Sequence, residues 1–425
     1  MAQIQVKFFT QQKKYEVSEA PFSVLGSVSG SDLCDLINKL RLEQDDESEK
    51  KSFDFIVNGE FLRSSLLQHI EEKGLSVESV LPVEYFEAKE SPELKSSLSE
   101  NDWISGIQLN KQHILTGTYD CSVNIWCRNS ETKLATGLAH TEPIKSIAWI
   151  PSFGGENDSN EKLASTSQDQ KIVLWDFDKE KNSLRPKFSC KGHSRSVESI
   201  AVNSKHETFA SGSWDCTIKL WSASYVPEKG GLEDEQISSA SKKKRAKLEQ
   251  TGISRVPQMT VAGHTEVVSG LVWIDNNQLC SGSWDHTLRL WDMSEGKETS
   301  QLRGTKAILS VDYSKLNQTL VTGNTDRHVR LWDPRSTGSV VKSNLTSHHG
   351  WVTCVKWCKT NSNLLVTGSL DNLVKMWDIR STKTPLFDLT AHTDKVMCLD
   401  WHKSEVSKNK IWNLFSINCN LFIFK

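Results

Sequence analysis

The sequence predicts a mostly β protein: a long array of repeated antiparallel strand pairs, preceded by a small domain that mixes strands with helices. Three observations predict it. Tryptophan is plentiful, with 15 Trp against 5 Tyr in 425 residues. Six segments share one pattern: ILTGTYDCSVNIW, LASTSQDQKIVLWD, FASGSWDCTIKLW, LCSGSWDHTLRLWD, LVTGNTDRHVRLWD and LVTGSLDNLVKMWD. Residues 1–88 carry no such repeat and switch between strand and helix periodicity.

In each repeat an Asp precedes a Trp by six residues: Asp120/Trp126, Asp169/Trp175, Asp215/Trp221, Asp285/Trp291, Asp326/Trp332 and Asp371/Trp377. Apolar residues alternate on both sides of the Asp, as in two short strands joined by a tight turn. A carboxylate suits that turn because it accepts nearby backbone N–H groups. Upstream stands a His in LAHTEPIKSIAW (His140), GHSRSVESIAV (His193), GHTEVVSGLVW (His264), SHHGWVTCVKW (His348) and AHTDKVMCLDW (His392). The fifth unit, RGTKAILSVDY, has Thr305 and Lys306 where that His is expected, so its sheet is expected to be less rigid.

Six Asp–Trp units with five His loops closely resemble the WD-repeat family over about residues 100–402. The resemblance implies an all-β WD-repeat β-propeller of the seven-bladed type, residues 102–402, with four antiparallel strands per blade. His, Ser or Thr, Asp and Trp would form a hydrogen-bonded chain inside each blade, stable only when every member is satisfied. The resemblance also implies that partners meet the face bearing the Asp turns. The residues just before each Asp point there: Tyr119, Gln168, Trp214, Trp284, Thr325 and Leu370. Trp214 and Trp284 are the expected anchors, since large amphipathic rings dominate protein interfaces.

In the N-terminal part, QIQVKFF and YEVSEAPFSV read as strands and SDLCDLINKLRLE as a helix with Ser31 as its cap. FDFIVNG, EFLRSSLLQHIEEKGL and ESVLPVEYFE follow, with Asn58–Gly59 at a hairpin turn. This order resembles the ubiquitin β-grasp, so residues 1–88 are expected to form a ubiquitin-like α+β domain. Together with FDFIVNGEFLRSSL, EEKGLSVES and NDWISGI, the chain resembles the ubiquitin-like-domain WD-repeat family of the pescadillo complex in large-subunit ribosome assembly. That resemblance implies a nucleolar and nucleoplasmic scaffold of the pre-60S particle, partnered by a pescadillo-type protein and a second WD-repeat protein. It implies that Glu78 serves as a ligand in trans to the metal ion of a midasin-type AAA ATPase, an oxygen donor of the kind Mg²⁺ prefers. An indirect or local contact with rRNA belongs to the same expectations.

Residues 89–101 read as a polar tether. Between Trp221 and His264 the spacing is 43 residues, against 14 to 18 elsewhere, so residues 222–255 read as a disordered charged insert. Lys242, Lys243, Lys244, Arg245 and Lys247 form a basic cluster there, which the family resemblance assigns to nuclear import. After His392 the seventh blade begins with KVMCLDW, but residues 403–425 lack an Asp turn and read as an aberrant tail that leaves the blade incomplete. Unspliced intron sequence from Val406–Ser407 is one expectation for it.

Net charge is −2, so no whole-molecule field draws the chain to nucleic acid or anionic lipid. No apolar run is long enough to span a bilayer, and a soluble intracellular protein is expected. Ten cysteines without a CxxC pair read as reduced core thiols, with no metal site of the chain's own and no cofactor. The recurring His, Asp and Ser offer no single nucleophile site, and a GxxxxGK[ST] loop is absent, so no enzyme activity is expected. A second reading is a ubiquitin-ligase substrate receptor, which the WDxR pattern at Trp332–Arg335 and Trp377–Arg380 would suit.

Overall fold

The computed structural model describes residues 3–18, 20–44, 49–76, 79–150, 160–203, 208–224, 253–336, 341–390 and 392–401, and the backbone of 413–417 and 420–424. The chain divides into two compact units, residues 1–91 with 377–387, and residues 92–376 with 388–425.

In the first unit, strands β1 (Gln3–Phe9), β2 (Phe22–Leu25), β3 (Phe53–Val57), β4 (Glu60–Phe61) and β5 (Leu81–Glu87) form one sheet in the order β2-β1-β5-β3-β4. β1 runs parallel to β5 and antiparallel to β2. Period-two alternation sends Ile4, Val6 and Phe8 inward, where they meet Leu33 and Ile37 of helix α1 (Gly30–Gln44) and Leu66 and Ile70 of helix α2 (Leu66–Lys73). Asn58 and Gly59 both have positive φ, 51° and 75°, as a two-residue hairpin of primed type requires. The cap of α1 is Ser29 rather than Ser31. Asp32 accepts from Ser29 N and Oγ, and Ser29 Oγ faces Asp32 N, the reciprocal arrangement of a capping box.

Among the described residues the second unit holds seven sheets. The first comprises β7 (Ile104–Leu109), β8 (His113–Thr118), β9 (Ser122–Cys127) and β10 (Lys133–Leu138), each antiparallel to the next. The first strand of every sheet packs against the first strand of the following one, round to Val396–Trp401 against β7, so the sheets close a ring. Small residues allow that approach. A Cβ on Gly212 would stand 2.6 Å from Val268 of the next sheet, and one on Gly368 would stand 2.6 Å from Val396. Side chains between sheets form successive cores, each with a buried Trp, such as Trp175, Trp221 and Trp291.

Two expectations are corrected at the seam. Residues 94–99, within the segment read as a tether, form strand β6 (Leu94–Ser99). The tail, read as failing to finish the seventh blade, supplies Asn413–Ile417 and Asn420–Phe424, and the last sheet runs Val396–Trp401, Asn413–Ile417, Asn420–Phe424, β6. Val396 pairs with Ile417, Ile417 with Asn420, and Asn420 with Ser99. An Asp turn is therefore not a condition for strand pairing: NLFSI and NLFIF are rich in apolar and aromatic residues, and backbone groups along them find partners on both sides. A strand from before the first sheet forms the outer edge of the last, so residues near both ends of the chain are paired in one sheet.

Candidate protein-docking face

The Asp turns are built the same way in six sheets. The residue after each Asp takes positive φ, from 63° to 71°, at Cys121, Gln170, Cys216, His286, Arg327 and Asn372. The residue before each Asp donates its backbone N–H to the loop that enters the same sheet. These bonds are Tyr119 to Trp103, Gln168 to Pro143, Trp214 to Ser196, Trp284 to Val267, Thr325 to Ala307 and Leu370 to Trp351, at 2.8 to 3.2 Å. With its backbone so fixed, each of these six side chains is at least partly exposed on the turn-bearing face.

The turns are anchored from beneath by polar chains. In the second sheet His140 Nδ1 lies 3.0 Å from Asp169, His140 Nε2 lies 2.7 Å from Ser165 Oγ, and Trp175 Nε1 donates to the same Oγ at 2.8 Å. His193, Asp215, Ser211 and Trp221 repeat this geometry, as do His264, Asp285, Ser281 and Trp291. His348 pairs with Asp371 at 2.9 Å and with Thr367 at 2.7 Å. The carboxylate can only accept, so His Nδ1–H donates to it, while the serine oxygen takes the Trp N–H and meets His Nε2. Burial alone would raise Asp215 and Asp285. Hydrogen bonds from His193 and Thr217, and from His264 and Thr287, outweigh it and hold both carboxyls well below the usual range.

Other sheets reach the same end with different residues. In the fifth, where the His is missing, Arg330 bonds both oxygens of Asp326 and also Thr305 Oγ1, while Trp332 donates to Thr322 at 3.0 Å. The expected loosening of that blade is thus offset by a buried guanidinium. In the first sheet Glu100 takes the place of the His. It accepts from Thr116 at 2.7 Å, Trp126 at 2.7 Å, Asn124 at 3.1 Å and Lys133 at 2.6 Å. Sequence reasoning missed Glu100 and Arg330, since neither belongs to the residue types that mark the repeat. His392 of the seventh sheet is buried, and burial pushes its pKa down to about 4.

On the exposed side the aromatic residues gather. Trp214 and Trp284 are 38% and 36% exposed, and their rings stand 5.2 Å apart at 63°. Tyr119 meets Trp103 at 5.9 Å, and Lys145 Nζ lies 5.2 Å from the Tyr119 ring. Trp351 is 52% exposed. Tyr119, Lys145, Glu198, Trp284, Trp351 and Leu370 all border the central cavity, whose volume is about 800 Å³. Gln168 and Thr325 carry no ring, so the aromatic rim is uneven around the face.

Glu78 and the Lys242–Lys247 cluster lie outside the described residues. Among the described residues no group of three or more His, Cys, Asp or Glu is placed to hold a metal ion, and no helix is long and apolar enough to cross a membrane. Of the two WDxR arginines, Arg335 is exposed and bonds Asp333, whereas Arg380 turns back on Asp378 at 2.6 Å with its side chain 16% exposed.

The family model described as the NLE (NUC135) domain matches residues 4–70. The WD domain, G-beta repeat, matches residues 131–176, 184–222, 255–292, 296–333 and 338–378. These matched units start near the outer strand of one sheet and end on the third strand of the next, the stagger that ring closure by β6 demands. Among curated relatives, the "Ribosome biogenesis protein WDR12 homolog" of Nematostella vectensis is 41% identical over 403 residues, 95% of each chain. The homologue of the same name from Ixodes scapularis is 40% identical over 94% of each chain, and that of Anopheles gambiae is 41% identical over 94% of this chain and 90% of its own. With this identity along nearly its whole length, a ring of WD-repeat sheets and the matching N-terminal domain, the chain belongs to the WDR12 family of WD-repeat proteins.

Proposed function

We propose that this protein is a non-catalytic scaffold in the assembly of the large ribosomal subunit, acting in the nucleolus and nucleoplasm on pre-60S particles. The relatives' names, which speak of ribosome biogenesis, support that setting. The observation that carries the scaffold role is the rim of exposed Trp and Tyr rings, set on backbone that the Asp turns and their polar chains hold rigid. Rigid aromatic anchors lose little conformational freedom on binding, which is what a protein–protein hot spot needs. The proposed occupants of the face are a pescadillo-type protein and a second WD-repeat protein. The ubiquitin-like unit offers Glu78 to the metal ion of a midasin-type AAA ATPase, and the ATP chemistry belongs to that partner. Lys242, Lys243, Lys244, Arg245 and Lys247 serve nuclear import.

Affinity capture from cells tests the reading. Wild-type full-length chain should recover pre-60S factors, and the double variant Trp214→Ala, Trp284→Ala should lose most of them while its melting temperature changes little. Recovery of cullin adaptors instead would establish the ligase-receptor alternative. A large stability loss with unchanged capture would return both rings to a packing role. Separately, Glu78→Gln and Glu78→Asp should abolish ATPase docking with the domain still folded, and binding equal to wild type would remove the metal-ligand role.

A further inference from the structure

The corner formed by Trp214, Trp284 and Glu198 carries chemistry that a general docking face does not require. Glu198 lies on the inner strand Val197–Asn203 at the mouth of the central cavity, its side chain 21% exposed. Its Oε1 accepts two hydrogen bonds, from Trp214 Nε1 at 2.7 Å and from Ser196 Oγ at 2.8 Å. Lys145 Nζ approaches that same oxygen only to 4.0 Å, because it is held over the Tyr119 ring and within 3.4 Å of the Tyr119 hydroxyl. Oε2 receives no hydrogen bond among the described residues. A carboxylate held through Oε1 therefore keeps its second oxygen without a hydrogen bond among the described residues, beside the Trp214 indole that meets the Trp284 ring.

Acidic groups outnumber basic ones around the corner, where Lys145 and Arg195 are the cations that face Glu198, Glu266, Asp215 and Asp285. Cys216, two residues beyond Trp214, has its thiol pushed up by burial first, then by Glu266, Asp215 and Asp285, with Arg195 opposing. A negative, aromatic, half-desolvated corner selects a cation. Among side chains the guanidinium fits best. It is planar, so one face can lie on an indole while its N–H groups reach a carboxylate oxygen in the same plane. An ammonium is a compact, strongly hydrated point charge that cannot do both.

We propose that Trp214, Trp284 and Glu198 form a seat for a single arginine side chain presented by the partner protein, with the guanidinium against the indole pair and an N–H donated to Glu198 Oε2. The seat belongs to the docking face proposed above and rests on that reading; it adds the chemistry of the group that enters.

Titration of the full-length protein with the peptide acetyl-Gly-Gly-Arg-Gly-Gly-amide tests it without any partner, read at the indole Nε1–H resonances, with Trp214 assigned from Trp214→Phe. The arginine peptide should shift the Trp214 and Trp284 signals saturably. The citrulline peptide, the same shape without charge, and the lysine peptide should each bind at least about fivefold more weakly. Glu198→Gln keeps an oxygen to accept from Trp214 and Ser196, so the fold is preserved, and it should weaken arginine binding by a similar factor. Equal response to citrulline, equal response to lysine, an unchanged affinity in Glu198→Gln, or no saturable shift would each overturn the arginine seat. If the seat fails while Trp214→Ala, Trp284→Ala still abolishes partner capture, the docking face stands and only its occupant is wrong. If the peptide binds as stated but capture is unaffected, the seat is real and the docking reading fails.

Discussion

The second, third and fourth sheets of the ring use one polar solution, and the first and fifth use two others. In the former, a His joins Ser to Asp and ties the turn to the Trp beneath it. In the first sheet a carboxylate, Glu100, gathers a hydroxyl, an amide, an indole and an ammonium. In the fifth a guanidinium grips the turn Asp from the side. What these sheets share is that the groups beneath the turn are paired with one another and the turn is tied to the core. The fold does not demand a particular residue type.

The comparison can be broken by deletion. Asp285→Ala leaves His264, Thr287 and the turn N–H groups without their acceptor, and should cost about 3 kcal/mol in equilibrium unfolding. If Arg330 truly replaces the missing His, Arg330→Ala should cost nearly as much, about 2–3 kcal/mol, because Asp326 stays half-buried without its cation. A cost below about 0.5 kcal/mol would show the fifth sheet to be loosely held, as its sequence alone suggests. Arg330→Lys sharpens the point. It keeps the charge but not the fork, and should cost about 1 kcal/mol.

Acid separates the sheets as well. The folded pKa of His392 is about 4, below its ordinary value, so the unfolded chain binds the proton more readily. Stability from this residue is complete above about pH 6.5 and is lost as pH falls from there toward 4. His348, lowered by burial despite Asp371, acts in the same direction. The carboxyls of Asp215, Asp285 and Asp371 are depressed, so their contribution is present above the ordinary carboxylate range and is lost only below it. Melting temperature should therefore decline between pH 6.5 and 4.5 before any of these Asp residues titrates. His392→Gln should flatten that slope, and an unchanged slope would place the titration elsewhere.

Much of this was legible in the sequence. Asp, Trp and His at fixed spacing announce the hairpin, the core and the loop, because each has one position in the repeat. The Asn58–Gly59 turn was legible for the same reason. Glu100 and Arg330 were not, since their roles come from where the fold delivers a charge. Strand β6 was hidden because LKSSLS buries little beyond Leu98 and reads as polar tether. The tail was misread because strand pairing there rests on backbone bonds, which leave a weaker trace than an Asp turn. The arrangement of Trp214 and Trp284 against each other and against Glu198 required coordinates, as the three belong to different strands and loops.

Backbone hydrogen exchange at Leu94–Ser99 tests the closed ring most directly. Pairing of β6 with Asn420–Phe424 predicts slow exchange there, within about tenfold of the matching outer strand Lys297–Arg303. Exchange at the rate of a free peptide would mean that the ring is open at its seam, and the rigid docking face would lose its foundation.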